Sequence, residues 1–264
     1  MKRSTYLFQL LLLLVVKVFI SACDPDLPTA PCGKGPGENN IDLDPIDITK
    51  DYYSEETFKF EFASNQKSKF TLDGVNGSIY VEQSHDQNSF YVSGKKKAYS
   101  NSQQDAEDQL KNLDVVLEDY SEELKVTTLH PTENGERNYS VDYWIKMPKN
   151  IELQILSTNS NVTLKEIEGN VNVEITNGKI DAQVSLPRYG EVKMKNVNGD
   201  MKLSLPQATS AEFDAKSSTG KVKVKNLDLS SMTEKNHSMN GVLGNGQGVI
   251  ELKTSNGDID VFGF

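Results

Sequence analysis

The C-terminal half of the chain alternates apolar and polar residues in short runs, and each run follows a glycine or serine. These runs recur at a spacing of thirty residues, with Ser160, Gly190 and Gly220 in equivalent positions. Alternation with a period of two is typical of half-buried β-strands, and a fixed repeat indicates stacked units that share one core. We therefore predict a β-solenoid over residues 151–264, with three strands in each thirty-residue unit. Its stacked apolar column consists of Val162, Val192 and Val222.

Asn-Gly pairs at residues 177–178 and 198–199 are predicted corners, because glycine adopts positive φ at little cost. The third unit loses its alternation after Leu227, and the pattern returns only at residues 256–261. The sequence predicts a loop over residues 228–248 before a terminal coil or strand, since terminal repeats are often atypical. The alternative fold is an antiparallel β-sandwich, whose strands alternate in the same way.

The N-terminal portion, residues 51–150, is predicted to be rich in β-strands and continuous with the repeat. Three phenylalanines within residues 58–62 alternate with charged residues, which indicates a half-buried strand. Runs of the same kind predict further strands at residues 79–81, 115–117, 124–128 and 139–147.

One helix is predicted in this portion, over residues 102–112. Ser102 is a suitable N-cap, and apolar residues follow it at helical spacing. These apolar positions are Ala106, Leu110 and Leu113.

Aromatic residues are concentrated before the repeat: fourteen of the twenty-one lie between Tyr52 and Trp144. In the predicted strand 139–147, Trp144 points away from the face that carries Tyr143. An exposed tryptophan is a candidate contact for a glycan or protein partner, because aromatic anchors dominate many interfaces. The alternative, which we take as the expected arrangement, is that the helix at 102–112 covers Trp144 in a small second core.

The N-terminus has the organisation of a secretion signal, with two basic residues before an apolar stretch and a small-residue cleavage site. The tetrapeptide Ile-Ser-Ala-Cys at residues 20–23 resembles the lipobox of bacterial lipoproteins. That resemblance implies that residues 1–22 are removed and that Cys23 carries a diacylglycerol thioether, which would anchor the chain to a membrane. Residues 23–50 are rich in proline, glycine and acidic residues, and we predict a linker there.

The charge and the motifs of the chain limit the kinds of partner and of reaction that we expect. Its formal net charge is −10 and it has only three arginines, so we expect no nucleic-acid partner. The common catalytic motifs are absent from the sequence, and we predict no catalytic residue, metal site or cofactor. A solenoid polysaccharide lyase or hydrolase is the weaker alternative, since the repeat contains one arginine, Arg188, with no acidic cluster near it.

Several motifs occur in a fixed order along the chain. They are V-N-G-S-I-Y-V at 75–81, W-I-K-M-P-K at 144–149, the glycine-led repeats, and T-S-N-G-D-I-D-V at 254–261. With these motifs, residues 58–264 resemble the bacterial putative-adhesin family, a group of envelope domains with β-strand repeats. The resemblance implies a β-solenoid-like domain, and it supplies no catalytic or binding residues.

These observations predict a non-catalytic protein of the bacterial cell envelope that is lipid-anchored through Cys23. It would serve as an adhesin or structural binding module, with a glycan or an envelope protein as its partner. The alternative function is that of an accessory protein in envelope stress or signalling.

Overall fold

The computed structural model describes residues 52–131 and 138–264. Within these ranges the chain consists of β-strands and one short helix, which confirms the predicted all-β class. The described part of the chain holds no helix with the length and apolarity needed to cross a bilayer. The predicted signal and linker, residues 1–50, lie outside the described residues.

The elements before the repeat are β1 (Tyr52–Ala63), β2 (Lys69–Asp73), β3 (Asn76–Gln83), β4 (Ser89–Ser100), α1 (Gln103–Leu110), β5 (Asp114–Asp119), β6 (Glu123–Leu129) and β7 (Asn138–Met147). The repeat contains β8 (Glu152–Glu168), β9 (Val171–Asn177), β10 (Ile180–Ser185), β11 (Glu191–Asn198), β12 (Met201–Leu205), β13 (Ala211–Ser217), β14 (Val222–Lys225), β15 (Leu229–Lys235), β16 (Ser238–Leu243), β17 (Gly248–Asn256) and β18 (Ile259–Gly263). The strands predicted before the repeat are confirmed as β1, β3, β5, β6 and β7.

The predicted helix is confirmed as α1. The Ser102 hydroxyl caps it by accepting a hydrogen bond from the backbone N–H of Asp105 at 3.2 Å. Ala106 and Leu110 are buried, and the helix packs against β1 and β4. The helix therefore closes the end of the core that is formed by the N-terminal strands.

The repeat is a solenoid whose coils each contain two strands. The first strands of successive coils pair in parallel as one ladder, and the second strands pair as another. Val171 of β9 lies beside Leu153 and Val192, which are 18 and 21 positions away along the chain. Inward side chains of both ladders form one apolar core between them. The predicted β-solenoid is confirmed, and its parallel pairing rules out the antiparallel sandwich.

The predicted unit of three strands and thirty residues is wrong. Val162 and Val192 do not stack, because Val162 lies in the second-strand ladder beside Ile180, whereas Val192 lies in the first-strand ladder beside Val171. Val222 pairs with Ile259 rather than with either of them. Alternation places a buried residue at every second position, so an offset of thirty aligns apolar residues that belong to different ladders.

The coil formed by the C-terminal residues, β17 and β18, does not lie at the end of the solenoid. Strand β17 pairs with β11 on one side and with β13 on the other. Strand β18 lies between β12 and β14 in the same way. The C-terminal residues are thus inserted between two coils that precede them in sequence.

The segment predicted as a loop, residues 228–248, contains the hairpin β15–β16. Strand β16 extends the first-strand ladder by antiparallel pairing with β13. Strand β15 has no buried residue, since it pairs with β16 at the edge and both of its faces remain open. A strand exposed on both faces carries no apolar alternation, which explains why the pattern is lost there.

Asparagines at the coil corners form a ladder along the solenoid, which we call the asparagine ladder. The amide of Asn159 donates to Oδ1 of Asn76, and that of Asn177 donates to Oδ1 of Asn159, each at 2.6 Å. The series continues from Asn198 to Asn177 and from Asn256 to Asn198, each at 2.8 Å. These bonds hold the corners of successive coils in register.

Candidate functional site

The candidate site lies on the outer face of the second-strand ladder, around Trp144. Strand β7 directs Tyr143 and Ile145 into the core, so Trp144 between them points outward and is 48% exposed. The expected cover by the helix is wrong, because α1 packs against β1 and β4 and meets β7 through a hydrogen bond from Tyr139 to Gln109 at 2.7 Å. Trp144 is therefore the exposed aromatic side chain that a partner contact requires.

Two rows of outward side chains surround the indole. Trp144 lies in register between Ser93 of β4 and Tyr80 of β3. The next row, two residues further along each strand, places Lys146 between Tyr91 and Glu82. We call these six residues the Trp144 patch. Adjacent strands are about 4.8 Å apart, so the patch joins three aromatic side chains and one ion pair on a flat surface.

Glu82, Lys146 and the Tyr80 hydroxyl form the polar half of the patch, and hydrogen bonds among them fix its charge. The Lys146 ammonium lies 2.7 Å from Glu82 Oε1, and the Tyr80 hydroxyl donates to Glu82 Oε2 at 3.0 Å. The hydrogen bond from Lys146 is the main reason that the pKa of Glu82 is lowered. Burial, followed by the bond to Glu82, raises the pKa of Tyr80. At neutral pH Glu82 is thus a carboxylate and Tyr80 is a neutral phenol.

The polar half can bind hydroxyl groups, and the indole can bind an apolar face. The Ser93 hydroxyl is bonded to the backbone oxygen of Trp144 at 3.2 Å, and the Tyr91 hydroxyl is bonded to Asp86 at 2.8 Å. These bonds hold both ends of the patch in place before any partner arrives. Such a pre-arranged set of side chains suits the binding of a partner.

Comparison with known proteins identifies the family. The sequence family described as Toastrack DUF4097 matches residues 46–262. The chain belongs to this family. The bacterial putative-adhesin resemblance of the sequence is thereby confirmed, and the Toastrack domain covers all but the last strand residues of the described chain.

The comparison with solved structures finds one that shares the fold of this chain. A putative cell adhesion protein from Clostridium sporogenes is 15% identical, with a TM-score of 0.53, over 80% of this chain and 100% of that chain. A putative adhesin from Bacteroides fragilis is 10% identical, with a TM-score of 0.31, over 80% and 99% of the two chains. No curated protein matches the chain. At this identity the first likeness shows the solenoid fold alone.

The other residues considered for chemistry in this Toastrack domain are spread over its surface. Arg188 lies with its guanidinium 5.0 Å from the ring centre of its neighbour Tyr189. Lys223 lies 3.7 Å from Asp258 and 3.9 Å from Asp260, so these two carboxylates share one ammonium. Among the described residues, no group of three or more histidines, cysteines or carboxylates converges on one point. Cys23, the predicted lipidation site, lies outside the described residues.

Sequence reasoning proposed Trp144 as a partner contact but did not predict Tyr80 and Tyr91 as its neighbours. Tyr80 lies between the inward residues Ile79 and Val81, so its outward direction was readable from the alternation. The position of Tyr80 beside Trp144 could not be predicted from the sequence, because their strands are about sixty residues apart and pair in parallel.

Proposed function

We propose that this Toastrack protein is a non-catalytic, lipid-anchored binding module of the bacterial cell envelope, and that it contacts a glycan through the Trp144 patch. The exposure of Trp144 beside Tyr80 is the observation that carries the proposal. The similar structure from Clostridium sporogenes is itself described as a putative cell adhesion protein, which agrees with an adhesive role.

The composition of the Trp144 patch favours a sugar as its partner. A pyranose ring has one apolar face of C–H groups, which stacks on a flat indole, and a rim of hydroxyls that need hydrogen-bond partners. Trp144 supplies the flat surface, and the Glu82–Lys146 pair supplies an acceptor and a donor beside it. Aromatic side chains with a polar tip serve partners of this mixed character well.

Replacement of Trp144 by alanine should weaken recognition strongly without unfolding the protein. The full chain in detergent would be tested on an array of bacterial surface glycans. We expect affinity for the best glycan to fall roughly thirtyfold, since loss of an aromatic anchor typically costs about 2 kcal/mol. The matched control is Tyr189→Ala, which removes another exposed aromatic side chain outside the patch and should leave binding unchanged. Equal binding by Trp144→Ala and wild-type protein would contradict the proposal.

The lipid anchor is a separate part of this proposal and has its own test. Replacement of Cys23 by serine removes the thiol that would carry the lipid, so the protein should move from the membrane fraction to the soluble fraction. The matched control is Cys32→Ser, which alters the only other cysteine and should leave the protein in the membrane fraction. A Cys23→Ser protein that still sediments with membranes would exclude the lipid anchor.

A further inference from the structure

Three lysines stack on the outer face of the first-strand ladder. Lys195 of β11 lies in register with Lys253 of β17, and Lys253 lies in register with Lys216 of β13. Adjacent strands are about 4.8 Å apart, and like charges at that spacing repel. We call these three residues the lysine row. It lies on a chain whose formal net charge is −10, so it is a local reversal of the overall charge.

The corresponding row on the second-strand ladder has a different order of charges. There Asp181, Lys202, Asp260 and Lys223 follow one another on adjacent strands, so each charge has an opposite neighbour. Lys202 lies 3.1 Å from Asp181 across the strands. In that row, carboxylates on the neighbouring strands neutralise the lysines. The lysine row of the first-strand ladder has no such alternation of lysine and aspartate.

Carboxylates compensate the lysine row only in part. Lys195 pairs with Glu174 at 2.9 Å, and Lys253 pairs with Glu251 on its own strand. Within the described chain Lys216 is exposed and has no carboxylate at ion-pair distance. The row thus keeps an unpaired positive charge at one end and two ammonium groups that retain donors for a further acceptor.

The lysine row lines an open trough of about 680 Å³ that runs along the solenoid, and Asp73 and Glu174 line the same trough beyond Lys195. Shorter side chains two residues further along the strands form its floor: Thr158, Thr176, Val197, Ser255 and Ser218. The asparagine ladder follows at the next position of each strand. Lysine, hydroxyl and asparagine side chains therefore lie in adjacent lines across the coils, although Val197 interrupts the hydroxyl line and Thr219 stands beyond the last asparagine, Asn256.

We propose that this trough binds a linear acidic polysaccharide along the solenoid axis, with the carboxylates of the sugar chain on Lys195, Lys253 and Lys216 and its hydroxyls on the serine and threonine floor. The ligand is a polymer because the three lysines lie in register on three adjacent strands, so that one extended chain can contact them in turn. It is acidic because the lysine row lacks full compensation.

The lining of the trough favours a sugar polymer over other polyanions. It contains no aromatic side chain, whereas single-stranded nucleic acids are held by stacking of their bases on aromatic residues. An acidic peptide would match the lysines, but each of its residues offers the floor only its backbone groups, whereas each sugar unit offers several hydroxyls. This second surface is distinct from the Trp144 patch, which lies on the other ladder.

Polygalacturonate, a linear polymer with one carboxylate on each sugar, is the probe for this trough. Binding to the full chain in detergent would be measured at two salt concentrations, with fully methyl-esterified polygalacturonate as the uncharged match. We expect the acidic polymer to bind, the ester to bind at least tenfold more weakly, and salt to weaken binding. Lys216→Gln/Lys253→Gln should reduce affinity about tenfold, at roughly threefold for each exposed ion pair.

The matched control for the double variant is Lys202→Gln/Lys223→Gln, which removes two lysines from the other ladder and should not change binding. Thermal unfolding would verify that all variants are folded. Three results would each contradict polysaccharide binding in the trough. They are equal binding by wild type and Lys216→Gln/Lys253→Gln, no binding of polygalacturonate, and tighter binding of poly-glutamate than of polygalacturonate. Loss of polygalacturonate binding in Trp144→Ala alone would also overturn the trough while supporting the Trp144 patch.

Discussion

Replacement of Val192 by aspartate is expected to unfold the solenoid. Val192 is fully buried in the first-strand ladder, between Val171 and Ile250 on the neighbouring strands. A carboxylate at this position would face apolar side chains without a hydrogen-bond partner, and an uncompensated buried charge costs several kcal/mol. That cost is comparable to the whole stability of a typical domain, about 5–15 kcal/mol. Circular dichroism should show either no cooperative thermal transition or one at a far lower temperature.

The matched control for this substitution lies on the same strand. Val197 is 43% exposed and points outward, so Val197→Asp introduces the same carboxylate into solvent and should unfold at nearly the wild-type temperature. Similar unfolding temperatures for Val192→Asp and the wild type would show that β11 does not have this register in solution.

The direction of a side chain could be predicted from the sequence much better than its neighbours could. Alternation placed Val192 inside and Trp144 outside, and both directions are confirmed. It could not select the strand beside Val192, because every strand of the repeat presents a similar apolar face. The choice depends on where each coil turns, and turns at intervals of 18 and 21 residues do not follow one fixed period.

The insertion of the last coil shows a second limit of sequence reasoning. Consecutive elements are usually neighbours in space, so residues 256–261 were expected to end the stack. Instead β18 lies between β12 and β14. The motif Asn256-Gly257 matches the corner motif of β11, and the asparagine bond between Asn256 and Asn198 joins these two coils directly. The similarity of the two Asn-Gly motifs was visible in the sequence. Only the strand pairing shows that the coils carrying these similar motifs lie next to each other.

The candidate site was predictable to a similar degree. Trp144 was recognised as a possible contact, although the helix was expected to cover it. The position of α1 and its buried face were predicted correctly, although the helix, Gln103–Leu110, is shorter than the predicted range of 102–112. Its docking on β1 as well as on the preceding strand β4 depends on a strand that is distant in sequence. Long-range packing of this kind leaves no local signal, and it decided whether the indole would be buried or exposed.

Replacement of Gly199 by alanine should strongly destabilise the solenoid through its corners. Gly199 has a φ of +133°, which residues with a Cβ rarely adopt, and a Cβ there would lie 1.9 Å from the backbone oxygen of Gly178. The corner must move to relieve this overlap, and the adjacent Asn198 then loses its place in the asparagine ladder. Strain of about 3 kcal/mol, the upper range for one such backbone position, should lower Tm by roughly 10 °C.

The control for Gly199→Ala is a glycine at another corner of the same solenoid. A Cβ on Gly74 would have the Ser157 hydroxyl oxygen as its nearest neighbour at 3.5 Å, an ordinary contact, so Gly74→Ala should unfold close to the wild-type temperature. At the corner of β8, Ser160 lies in register with Gly77 and does not have a positive φ. A corner therefore requires glycine only where its backbone adopts a positive φ. If Gly199→Ala and Gly74→Ala unfolded at the same temperature, the corner would be able to accept a side chain. The asparagine ladder would then not depend on glycine beside it.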